Sequence, residues 1–142
     1  MAAFRGPLLL YPSQMTTPSF NNFVINSGGA SIDRLALQVQ MPPDVTDTIT
    51  HVGFRYGVRA LTPVAHDVGL QGVGTDGKPD GVWFGGASPV KVSFTPPADT
   101  TWDGTWRKLA LDFSYTHARG ETFFVVIEPT GTPDATNNSS FT

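Results

Sequence analysis

The chain contains no cysteine. That excludes disulfides, thiolate metal sites and cysteine nucleophiles, and it is neutral about redox compartment. Lysine occurs three times and glutamate twice in 142 residues. Both are good helix formers and both are depleted in strands, so their scarcity argues against a helical protein. Only 15% of residues are charged and the net charge is −3. No basic excess exists to hold a phosphate backbone, so nucleic acid is excluded as a partner class. No apolar run approaches the roughly 18 residues of a membrane-spanning helix, and no membrane partner is expected. The segment "PLLLY", bracketed by Pro7 and Pro12, is too short for the apolar region of a signal peptide, so no export signal is read.

What the chain does have is threonine (17), glycine (15) and proline (12). Threonine suits strands, while glycine and proline reverse the chain. The length fits one domain that buries a core without staples. An all-β fold with short strands follows, read as an antiparallel two-sheet sandwich of about eight strands over residues 23–142. Residues 1–22 differ. They hold three prolines and no periodicity, which predicts an extended N-terminal arm. Its Phe4, Leu8, Leu9, Leu10 and Tyr11 are too apolar for a solvated tail, so they are expected to contact a partner.

Alternation sets in after the arm. Leu35, Leu37, Val39 and Met41 share one parity until Pro42 and Pro43 stop the strand. Val52, Phe54, Tyr56 and Val58 share another run, but Ile49 falls on the wrong parity, which predicts a bulge near His51. Val68 and Leu70 point inward, as do Val90, Val92 and Phe94. Leu109, Leu111 and Phe113 alternate with Lys108, Ala110 and Asp112. The segment "TFFVVIE" is apolar at both parities, which predicts a central strand covered on both faces.

Chemistry is sparse. In "GVGTDGKPDGVWFGG" the two Asp-Gly pairs, Asp76-Gly77 and Asp80-Gly81, read as turns rather than a calcium loop. A calcium loop needs more oxygen ligands at regular spacing and a closing bidentate acid. His51, His66 and His117 are scattered, and no G-x-S-x-G elbow is present. Asp112, Glu121 and Glu128 show no sign of facing each other as a glycosidase pair must. The chain therefore reads as no enzyme, with no cofactor and no metal. Two surfaces remain as candidates. His51, Arg55 and Arg59 alternate with Gly53 and Gly57, a pattern that fits a cationic groove for a ligand or partner. Among Trp83, Phe84, Trp102 and Trp106, Trp102 lies between Pro-Pro and Asp-Gly and is the aromatic most expected at a surface.

The stretches "VGLQGVGTDGKPDG", "VSFTPPADTTWDGTW" and "YTHARGETFFVVIE" together resemble a β-sandwich domain of bacteriophage virion and tail-fibre proteins. The similarity runs from about Phe20 to the end and lies in turn and strand punctuation. It implies a jelly-roll-like module of an oligomeric particle, located in the virion. The expected function is a capsid decoration, cement or tail-fibre protein, homotrimeric and in contact with other virion proteins. It transfers no catalytic residues. Domains of that kind continue past the point where this chain stops at Thr142, which implies a fragment or an edge strand supplied by a neighbour. The alternative expectation is a carbohydrate-binding module for host-surface glycans, with Trp102 as its stacking platform.

Overall fold

The computed structural model describes residues 23–25, 34–58, 64–95, 106–131 and 139–141, with backbone alone at 23–25, 55–58, 106 and 139–141. The N-terminal arm expected over residues 1–22 lies outside the described residues. The described residues form nine strands and no helix: β1 (Phe23–Ile25), β2 (Leu35–Gln40), β3 (Thr48–Val58), β4 (His66–Val73), β5 (Pro79–Trp83), β6 (Lys91–Phe94), β7 (Trp106–Thr116), β8 (Thr122–Pro129) and β9 (Ser139–Phe141). All pairings are antiparallel. One sheet runs β1-β9-β3-β7. The other runs β2-β8-β4-β5, with β6 also on β4. The expected all-β, two-sheet antiparallel class is what the chain adopts.

The inward parity of each sheet supplies the core. Val52, Phe54 and Leu111 come from the first sheet, and Val39, Val68, Leu70, Phe123 and Ile127 from the second. Each such side chain contributes about 1.5–3 kcal/mol by leaving water. Phe84 and Tyr115 stack across the layers with centroids 4.5 Å apart, and Phe123 meets both edge-on. Both-sided burial of β8 is also found, since Phe124 and Val126 on its outer parity are as enclosed as Phe123 and Ile127.

Strands β5 and β6 behave as one interrupted edge strand. Leu70 sits at the break: its N–H donates to Val90 O and its carbonyl accepts from Phe84 N–H. Val90 N–H closes the loop onto Phe84 O at 2.8 Å. Residues 85–89 are thereby looped out, with Gly85 and Gly86 at positive φ.

Two expectations need correction, at Leu37 and Phe113. Leu37 is 55% exposed, because among the described residues β2 pairs with β8 alone and leaves this level of the sandwich open. Phe113 is 47% exposed, although its parity matches buried Leu111. The bulge expected near His51 is present, but most of the extra length belongs to β7. Ile49 pairs Tyr115 and His51 pairs Ala110, so two steps on β3 face five on β7. The excess pushes residues 112–114 outward. The C-terminal strand β9 pairs with β1 on one side and β3 on the other, so its own ladder positions are taken.

Candidate functional site

The outer face of the second sheet gathers the most chemistry. Registers place its residues in lateral rows. One row is Gln38, Phe124, Gln71 and Trp83, on β2, β8, β4 and β5 in turn. The next is Ala36, Val126, Gly69 and Lys91, and the third ends in Glu128, Asp67 and Ser93. Directly opposed strand residues stand close enough for their side chains to touch.

Asp67 is the hub of the third row. Its Oδ2 is paired with Lys91 Nζ, and its Oδ1 accepts from Ser93 Oγ at 2.5 Å. Burial works to raise the carboxyl pKa, but the two hydrogen bonds and the Lys91 charge hold it below the ordinary value. The same ammonium lies 5.6 Å from the Trp83 ring centroid, within range of a cation–π contact. At the far edge Arg34 and Glu128 make an ion pair at 3.4 Å. Charges on this face are thus mutually cancelled. Gly69 lets β6 come in close: a Cβ there would stand 2.7 Å from Lys91 Cα.

Gln71 is the anomaly of the face. It is fully buried, yet neither its amide nitrogen nor its amide oxygen has a hydrogen-bond partner. Phe124 and Trp83 flank it on either side. Leaving such groups unpaired costs about 1–3 kcal/mol each.

The sequence-predicted residues scatter. His51 is exposed, and its Nδ1 lies 2.8 Å from Thr50 Oγ1. The backbone of Arg55 pairs with Trp106, and its side chain is outside the described set. Arg59, Trp102, Phe4, Leu8, Leu9, Leu10 and Tyr11 are outside the described residues altogether. Gly53, read as a point of close approach, would place a Cβ 3.6 Å from Arg107 O, an ordinary contact. Nothing crowds that position.

The Asp-rich loop is the turn it was expected to be. Gly74 N–H donates to Lys78 O at 2.7 Å, and Asp76 Oδ1 and Asp80 Oδ1 accept from the amides of Lys78 and Val82. Gly77 and Gly81 take the positive φ. Among the described residues no group of three His, Asp or Glu is placed to hold a metal ion.

The buried histidines and Glu121 hold the framework. His117 Nε2 accepts from Asp47 N–H at 3.0 Å, and its Nδ1 lies 2.9 Å from Ala118 O. Glu121 accepts from Tyr115 Oη and Ala118 N–H at 2.6 and 2.7 Å. Burial first, and then Glu121, push the Tyr115 pKa up to about 12. Burial lowers His66 to about 4, against the opposing pull of its hydrogen bond with the Val64 backbone. Sequence reading passed over Gln71 and Lys91. Gln71 does sit between inward Leu70 and the glycine turn, but only lateral pairing shows that aromatics flank it. No protein family, curated protein or solved structure matches the chain.

Proposed function

We propose that this chain is a non-enzymatic structural module of a particle of the bacteriophage virion kind, a decoration, cement or tail-fibre protein that works as a homotrimer. The observation that carries the reading is the form of edge strand β7. Among the described residues it pairs with β3 alone, and its outward bulge displays Phe113, 47% exposed, between exposed Asp112 and Ser114. A bulge of this kind discourages indiscriminate strand addition, while a projecting aromatic ring in a polar frame suits a chosen partner.

The strand order supports a jelly-roll wrap. With β5 and β6 counted as one, the eight strands divide four and four between β1-β9-β3-β7 and β2-β8-β4-β5/β6, and every connection but β4 to β5/β6 changes sheet, as in two Greek keys. That architecture is common in capsid domains and in lectins. Fold alone does not choose between them. The ionic groups favour assembly over turnover, because Asp67, Glu121, Glu128 and Lys91 are each engaged with a side chain or amide of the framework.

The test is the solution mass by light scattering of the chain, of Phe113→Ser and of a form lacking residues 1–19. A trimer that either change dissociates supports the reading. A monomer for the unmodified chain at about 100 μM overturns it, since a functional trimer must hold at or below that level. The virion assignment is tested by mass spectrometry of gradient-purified particles from the source organism, and absence of the chain from them rejects it.

A further inference from the structure

We propose that Gln71 and Trp83 form a subsite for one sugar ring of a neutral glycan. This site is independent of the assembly reading and of Phe113. The first observation is the Gln71 amide, fully buried with both polar atoms unpartnered. It offers two donors and two lone pairs. A purely structural residue between Phe124 and Trp83 would be served better by leucine or methionine, so the amide calls for a polar guest.

The neighbours define that guest. It is neutral, because the amide carries no charge and the adjacent Asp67–Lys91 pair cancels itself. It both donates and accepts, as hydroxyls do. It has an apolar C–H face, because the half-buried Trp83 indole stands beside Gln71 in register. A sugar ring combines all three properties. Entry is from the sheet edge. Trp83 lies on edge strand β5 and is only half-buried, so a guest reaches the amide past the indole.

The experiment is saturation-transfer NMR on the intact chain with the methyl glycosides of glucose, galactose, mannose, N-acetylglucosamine and N-acetylgalactosamine, each to about 10 mM, a range that reports millimolar affinity. Transfer from at least one glycoside, with a change in tryptophan fluorescence, is expected. Gln71→Met should abolish the transfer while keeping or raising the thermal midpoint, and Trp83→Leu should weaken binding at least about tenfold. Trp102→Leu should leave it unchanged. Three results would overturn the proposal: no transfer from any glycoside, transfer that survives Gln71→Met, or transfer lost only in Trp102→Leu. A crystal structure with water alone on the Gln71 amide in the presence of the glycosides would do the same.

Discussion

The backbone N–H of Asp47 donates to Nε2 of His117 across 70 residues of chain. Because Nε2 accepts and Nδ1 faces the Ala118 carbonyl, the neutral tautomer with its proton on Nδ1 satisfies both contacts. The ring thereby ties the β2–β3 connection to the β7–β8 turn, where Gly120 N–H also meets Pro42 O. Its loss leaves a cavity and takes the acceptor from the Asp47 amide. His117→Ala is expected to cost roughly 2–4 kcal/mol in urea unfolding. His117→Asn offers a shorter acceptor and should recover part of that loss. In amide exchange, Asp47 should lose protection in the alanine variant. Unaltered protection there would remove His117 from this role.

His66 predicts a pH dependence. Its folded pKa is lowered from 6.5 to about 4, chiefly by burial. Between those values the unfolded chain binds a proton that the folded chain refuses, so stability rises with pH across that window. Acidifying from pH 7 should begin to weaken the fold near 6.5, with the loss complete below about 4 and roughly 3 kcal/mol in all. His66→Gln should flatten this part of the stability profile measured by urea titration. A wild-type profile already flat from pH 7 to about 4 would contradict it.

Period-two patterning made much of this fold legible. Val39, Val52, Val68 and Leu70 carry the core as their parity predicts, and the doubled apolar parity of Phe123 and Phe124 marks the central strand. Glycine chemistry likewise marks the Asp76–Gly81 reversal. Lateral relationships were not legible, because alternation states which face a residue takes and is silent about its neighbour. The placement of Trp83 beside Gln71 rests on β5 returning along β4. The exposure of Phe113 rests on surplus length in β7, which no single-strand pattern reveals. The same limit applies to the last strand, since the chain does not announce that β9 slots between β1 and β3.

The Asp67 carboxylate should act in a different window from His66. Burial opposes its charge, but Lys91 and Ser93 hold its folded pKa below 3.8. Its contribution is therefore present above about pH 3.8 and is lost as pH falls through the lower folded value. Asp67→Asn removes the charge partner of a mostly enclosed Lys91 and should cost roughly 1–2 kcal/mol at pH 7. Lys91→Met alone should cost about as much, and the double variant less than the sum, which a double-mutant cycle in urea measures. Strict additivity would show that the pair is not energetically coupled.

Glycine replacements should separate close approach from backbone conformation. At Gly69 a Cβ would run into the Val90 carbonyl and stand 2.7 Å from Lys91 Cα. Both are backbone atoms of the paired strand and have little room to yield. Gly69→Ala should therefore cost more than about 2 kcal/mol. Gly77 has open space around it but a φ of 76°, so Gly77→Ala should cost only the left-handed strain of about 1 kcal/mol. Gly53 has neither restriction, its nearest atom being Arg107 O at 3.6 Å. There alanine should be neutral or stabilise by up to about 0.5 kcal/mol, because it lowers the entropy of the unfolded chain. Thermal midpoints should then rank Gly53→Ala highest, Gly77→Ala next and Gly69→Ala lowest. A Gly69→Ala variant as stable as the parent would mean that β6 does not lie against β4 at this point.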